Sequence, residues 1–210
     1  MLRKVRKQIK EKIKAGLCRL LFYCHALKSR ISKEKLKKLH VGCGKNHFRG
    51  WINADMFLGS EMIVFLQKKL PLQNDCLERI YSEHVIEHVP FETGVFFLKE
   101  AYRVLEPGGV IRMATPDLDN IISYYTEDWK RADWVNWPEY SFIKTKAEML
   151  NIAFRWWGHA HLYNEEELLR AFKEAGFQNL QKVAWGESNF NDLSSLETRK
   201  DSTLIIEAVK

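Results

Sequence analysis

Between Lys38 and Val89 the chain carries four short apolar runs, KLHVGCG, WINAD, MIVF and RIYSEHV, the first stopping on Gly42-Cys43-Gly44 and the second on Asp55. Runs of this length bounded by turn residues read as parallel strands. FETGVFFLKEAYRVL then shows helical spacing at Val95, Phe96, Leu98, Ala101, Tyr102 and Leu105, and Pro107-Gly108-Gly109 stops it before the strand VIRMAT. NEEELLRAFKEAG repeats the unit, with Asn164 as N-cap, acids in the first turn and Gly176 at the stop, and the strands FQNLQKVAW and STLIIEAVK follow. Strands alternating with helices specify an α/β sheet, which places one domain over 38–210.

What precedes that domain differs in kind. Residues 1–39 hold 14 of the 33 Lys and Arg and only Glu11 and Glu34 of the 27 acids, a local balance of +12 that leaves the rest of the chain at −6. Apolar residues from Leu2 to Ile31 recur every three or four positions among those lysines, so residues 1–37 read as a basic amphipathic helical arm. Such a helix lies on anionic lipid, or packs on the body or on a second subunit. Arg19 interrupts its longest apolar stretch and no cleavage site follows, which argues against a secretory signal. No run reaches the roughly 18 apolar residues of a membrane span. Cys18, Cys24, Cys43 and Cys76 form no CxxC pair, so neither a disulfide framework nor a zinc ribbon is expected, and a reducing cytoplasm fits best.

Glycines directly after a strand let a backbone approach a ligand without a Cβ between them. Asp55 ends the next strand eleven residues after Gly44, where a carboxylate can accept both hydroxyls of a ribose. Strand, GxG, strand and acid is the arrangement of a nucleoside cofactor site, shared by dinucleotide and S-adenosylmethionine (SAM) enzymes. The third glycine of GxGxxG is missing, which weakens a dehydrogenase reading.

Five blocks in order separate these alternatives: LHVGCG (39–44), GWINAD (50–55), LPLQNDCLERIYSEHVIEHV (70–89), RVLEPGGVIRMATPDL (103–118) and GHAHLYNEEELLRAFKEAGF (158–177). With them the chain resembles a class I SAM-dependent methyltransferase of the compact kind found in bacterial glycan and natural-product clusters. The resemblance implies a Rossmann-like fold, a seven-stranded mostly parallel sheet with one antiparallel strand and helices on both faces. It implies SAM as cofactor over the carboxyl ends of the first strands. Gly42, Cys43 and Gly44 would line its methionine and ribose portion, Asp55 would hold the ribose, Met56 would lie beside the adenine, and Ser82 would complete the wall. Relatives carry an acid for the adenine amino group where this chain reads VFLQKKLPL, and Val64, Phe65, Leu66 and Gln67 offer none. Gln67 or Asp75 are the alternatives, with Asp75 reading as a solvated turn acid.

The chemistry belongs after the fourth strand, at Ser82-Glu83-His84-Val85-Ile86-Glu87-His88. Methyl transfer requires an acceptor held in line and, for a hydroxyl, a base. His84, nearest the strand end, is the first candidate for that base and Glu83 the second. His88 is a further candidate that, like Glu87, also reads as a structural group satisfying the local backbone. HVIEH resembles the HxxEH of inverted zinc peptidases, whose surroundings do not match. It also resembles the ExxEH that holds a divalent ion in some ubiquinone-pathway and small-RNA methyltransferases. The motif is short, and the expected site is metal-free, although His84, Glu87, His88, His159 and His161 form a chemically reasonable ligand set. The dense run Phe154-Arg155-Trp156-Trp157-Gly158-His159-Ala160-His161-Leu162-Tyr163 suggests a lid over the acceptor, with catalytic candidates His159, His161 and Tyr163. Trp156 and Trp157 serve core packing equally well. With Trp129, Trp134 and Trp137 upstream, a cap or insertion is expected over about 119–163.

No NPPY-like tetrad or catalytic PC cysteine appears, and the acidic body lacks a basic channel, which together argue against a nucleic-acid substrate. The acceptor expected is an oxygen or nitrogen of a small molecule or glycan, with a lipid-linked sugar at the cytoplasmic membrane face if the arm meets anionic lipid. An RNA methyltransferase using the arm to neutralise phosphates, and a non-catalytic partner subunit of the same fold, are the alternatives.

Overall fold

The computed structural model describes residues 37–210, so the helix expected over the arm lies outside the described residues. Seven strands form one sheet: β1 (Lys38–Val41), β2 (Ile52–Asp55), β3 (Met62–Ile63), β4 (Leu77–Glu83), β5 (Leu105–Thr115), β6 (Asn179–Lys182) and β7 (Leu204–Val209). Their order is β3-β2-β1-β4-β5-β7-β6. The first five run parallel, and β7 is antiparallel to both neighbours. This is the mostly parallel sheet with one reversed strand that the sequence implied. The Pro-Gly-Gly turn differs in detail. It lies within β5, where the register with β4 jumps from Leu77–Leu105 to Arg79–Val110, and Gly108 adopts φ 81°.

Side-chain alternation divides the sheet into two unlike faces. Leu39, Val41, Ile80, Ile111, Met113, Leu204 and Ile206 join one apolar core with helices α1 (Phe91–Val104) and α4 (Glu165–Glu174), which contribute Phe97, Leu98, Ala101, Leu168 and Phe172. Asn164 caps α4 as its sequence requires, accepting from the Glu167 amide. The opposite face carries the intervening residues Lys38, His40, Arg79, Tyr81, Glu83, Arg112 and Glu207. Among the described residues its cover includes the irregular segment 183–203 and, over His40 and Tyr81, Phe48 of the loop between β1 and β2. Arg112, fully buried, ties that segment down through Glu197 Oε1 at 2.6 Å and the Glu187 carbonyl at 2.8 Å, and it also meets Glu207 Oε1 of β7 at 2.6 Å.

A second apolar cluster stands after β5. Helices α2 (Leu118–Thr126) and α3 (Lys146–Arg155), with three short 3₁₀ turns between them, bury Ile121, Trp134, Val135, Ile143, Met149, Ile152 and Leu162. A full capping box, Thr145 with Glu148, starts α3.

Candidate active site

Two adjoining features meet at the carboxyl end of β4. The first is the glycine loop. Gly42 has φ 76°, and a Cβ there would fall 2.0 Å from Val85 Cγ2, so this position admits only glycine. Gly42 and Cys43 donate to the Ala54 carbonyl at 2.8 and 3.2 Å, fastening the loop to β2. The Asp55 carboxylate accepts the Gly44 amide at 2.9 Å and the Met56 amide at 2.6 Å. A carboxylate offers about four acceptor positions, so these two bonds orient it and leave capacity for a diol. A glycine that touches its neighbour and a braced acid at the tip of β2 fit an adenosyl ligand. Cys43 is buried and its thiol is pushed up to about 11, chiefly by that burial, so it lines the loop as a neutral thiol and not as a nucleophile. Met56 is half exposed beyond Asp55. Ser82 is buried on β4 beside Val41, its hydroxyl without a partner.

The adenine edge gains no carboxylate from the alternatives. Gln67 is exposed, and Asp75 pairs with Lys210 Nζ at 2.6 Å, beside the first turn of β5.

The second feature is a cavity of about 1030 Å³ under the helical cluster, with His84 and His88 on one side and Trp134, Trp137 and Trp157 on another. Asp117, Asn120, Tyr124, Asp133 and Asn136 supply polar groups, and the stretch Thr198–Asp201 closes the remaining wall. His84 occupies the junction of the two features. Its neighbour Val85 touches the glycine loop, and its own backbone is left-handed, φ 51°, anchored by its amide to the Ala114 carbonyl at 2.9 Å. Its ring is buried, with Nδ1 3.1 Å from Glu87 Oε1 and Nε2 3.6 Å from Asp201 Oδ1. Neither contact has the distance and angle of a good hydrogen bond, and Nε2 has no other partner, so the ring is held electrostatically with one nitrogen free.

Glu87 is fully buried. Burial works to raise its pKa, but the His84 contact and charge outweigh it and the net displacement is downward, so the carboxylate is held ionised. Its Oε2 accepts from Thr115 Oγ1 at 3.1 Å, while its carbonyl accepts the amides of Ala160 and His161. Glu87 thus fastens the 158–161 turn to the site.

Glu83 has a different role from the base envisaged. Its two oxygens accept from the Thr198 amide and hydroxyl, the Arg199 amide and the Ser202 hydroxyl, at 2.6 to 3.1 Å. With its lone pairs so engaged, it positions the Thr198–Asp201 wall. Two other candidates lie outside the cavity. Tyr163 is fully buried against Gly94 of α1, where a Cβ would meet its hydroxyl at 2.7 Å, and burial holds its phenol well above the usual range. His161 meets Tyr163 edge to face and places Nε2 3.2 Å from Glu167 Oε1 of α4. A strand-like bridge joins Tyr163 to Asp117, whose own side chain caps α2 and lines the cavity.

His159 does line the cavity. Its Nδ1 lies 2.8 Å from the Ala153 carbonyl, an acceptor that requires the proton on Nδ1 and leaves Nε2 as a lone-pair donor; burial first, against that bond, lowers its pKa and keeps it neutral. Ligand atoms of Glu87, His88 and His159 lie within 4.8 Å of one another, so among the described residues these three are close enough to share a divalent ion. His84 of the motif and His161, the further histidine weighed with it, lie against Asp201 and Glu167. Asp117, Asn120, Asp133, Asn136 and the Thr198–Asp201 wall were not singled out from the sequence. Only Asp117 had a signal, as the acid of TPDL before a helix.

Comparison with known proteins agrees with this arrangement. A sequence profile described as methyltransferase domain matches residues 6–182. A malonyl-[acyl-carrier protein] O-methyltransferase of Pectobacterium atrosepticum is 30% identical over 120 residues, 47% of this chain and 45% of that protein. The match therefore spans under half the length of that relative. Among solved structures, a SAM-dependent methyltransferase of Thermotoga maritima, described as a possible histamine N-methyltransferase, superposes with TM-score 0.53 over 100% of both chains at 16% identity. A SAM-dependent methyltransferase of Archaeoglobus fulgidus gives 0.52 over 97% of this chain and 99% of that one at 14% identity. These two likenesses establish the shared fold. With the profile covering most of its length, the chain belongs to the methyltransferase-domain family, whose methyl donor is S-adenosylmethionine.

Proposed function

We propose that the chain methylates a hydroxyl or amine of a small polar acceptor, with a glycan as the favoured class, and that His84 takes the acceptor proton. When bound, the cofactor supplies an electrophilic methyl group on a sulfonium. Gly42, Gly44 and Asp55 would hold its adenosyl portion, and the His84 turn rides directly over that loop. The observation that carries the reading is the position of His84, which lines the cavity beside the glycine loop, its Nε2 without a hydrogen bond and 3.6 Å from Asp201 Oδ1. A proton taken at Nε2 produces an imidazolium already flanked by Glu87 at 3.1 Å and Asp201 at 3.6 Å, so the charge forms where it is compensated. Planar polar groups, Asp117, Asn120, Asp133 and Asn136, facing the aromatic rings Trp134, Trp137 and Trp157 are the chemistry that grips hydroxyl-rich rings, by hydrogen bonds at the edges and stacking on the faces.

The test is transfer of labelled methyl from SAM to a panel of glycosides and sugar amines. Substituting His84→Asn, which tolerates the left-handed backbone, should lower turnover by about 10²-fold or more while S-adenosylhomocysteine affinity stays within about twofold. Undiminished turnover would remove His84 from the proton path.

A further inference from the structure

On the outer rim of the helical cluster, Trp137, Tyr140, Phe142, Trp156 and Trp157 form an aromatic patch, with Phe154 exposed on α3 nearby in sequence, and its outer members Phe142, Phe154 and Trp156 have no part in the acceptor cavity. Trp137, Phe142, Phe154 and Trp156 are between 41% and 51% exposed, a degree of solvent contact that large aromatic side chains rarely keep as a group. The rings are contiguous: Tyr140 lies 6.1 Å from both Trp137 and Phe142, 5.8 Å from Trp157, and Phe142 lies 5.9 Å from Trp156. Two of them, Trp137 and Trp157, also line the cavity, so the patch is the outward continuation of its mouth.

We infer that this rim is a lipid-facing surface that seats the cavity mouth at the headgroup level of an anionic bilayer. Three observations select lipid over a protein partner. The patch is aromatic and not aliphatic, and the indole N–H groups of Trp137 and Trp156 have no acceptor among the described residues, a combination of apolar body and unsatisfied polar tip that suits the membrane interface. Near Phe142 and Trp156 in sequence stand the exposed cations Lys144 and Arg155, which carry no carboxylate partner among the described residues and outnumber Glu139, the exposed acid between Trp137 and Tyr140. The same chain carries a balance of +12 over residues 1–39. Stable peripheral binding takes two signals, one electrostatic and one apolar, and the arm and the rim supply one each. The inference rests on the acceptor reading of the cavity for its purpose, to meet an acceptor held at a membrane, but not for its test.

The experiment uses the full chain with phosphatidylcholine–phosphatidylglycerol vesicles, some with brominated acyl chains that quench indoles on contact. Binding at low salt should persist in part at high salt, and brominated lipid should quench tryptophan emission. The double variant Phe142→Ser/Trp156→Ser changes two exposed side chains outside the cavity lining. It should lower the high-salt partition by about tenfold or more and reduce the quenching. S-adenosylhomocysteine titration of both proteins reports the fold and the cofactor site independently of lipid, so a failed methyltransferase reading shows there and a failed rim shows with vesicles. Complete release at high salt without bromine quenching, absence of vesicle binding, or a self-association that the double variant dissolves would each overturn the inference, the last by assigning the rim to a second copy.

Discussion

At the scale of the residue, the site depends on side chains whose freedom has been removed. Gly42 is the sharpest case, because φ 76° and a Cβ position 2.0 Å from Val85 both forbid a larger residue. Gly42→Ala should destabilise the fold by about 2–4 kcal/mol through overpacking and backbone strain, measured by urea denaturation. Asp55 is strained in no such way, and its loss should act on binding. Asp55→Ala should weaken S-adenosylhomocysteine about 10- to 100-fold in calorimetric titration, since a charge-assisted pair of hydrogen bonds is removed, and equal affinity would misplace the ribose site. Both residues were legible in the sequence because each stands at the end of a short apolar run, where only turn or ligand chemistry explains it. Asp201 was not legible. It reaches His84 from the far end of the chain through an irregular segment, and no period or motif announces such a contact.

At the scale of the element, strands and helices were readable from periodicity and caps, whereas the covering segment 183–203 was not. Its order comes from buried carboxylates on other elements. Glu83 alone organises Thr198, Arg199 and Ser202. Glu83→Gln keeps the shape but replaces two acceptors with one acceptor and one donor, so at least one amide or hydroxyl of the wall loses its partner. The expected cost is about 1–3 kcal/mol, with faster amide exchange at 198–202 and lower turnover but unchanged S-adenosylhomocysteine affinity. His161 and Tyr163 lie outside the cavity lining for a related reason. Their sequence neighbourhood is dense in functional chemistry, but pairing of Tyr163 with Asp117 turns them to the α1 and α4 side, a register that sequence spacing alone does not fix.

At the scale of the whole molecule, one sheet face is packed as an apolar core and the other as a buried polar layer, and this asymmetry sets the response to acid. His40, 3% exposed and stacked on Phe48, has its pKa lowered from 6.5 to about 4, first by burial. The unfolded chain therefore takes up this proton before the folded one. The stability held above pH 6.5 declines as pH falls from 6.5 through about 4, by up to about 3 kcal/mol. Denaturation midpoints across that window should show the slope, and His40→Phe should flatten it. Arg112 sits in the same layer between Glu197 and Glu207, so Arg112→Ala leaves two carboxylates buried without their cation and should cost about 3–5 kcal/mol, read from thermal unfolding at neutral pH.

The covering segment is joined to the sheet at a few sockets, Glu83 and Arg112 foremost, while its outward residues Arg199 and Lys200 form a cavity wall. At Arg199 the anchor is the backbone amide, so the side chain at that position, like that of Lys200, is free of the anchoring bonds. A foreign segment that keeps a donor set for Glu83, a carboxylate for Arg112 and the Thr198 hydroxyl that meets Asn46 would renew the cavity wall at Arg199 and Lys200 while leaving the strands of the sheet unchanged.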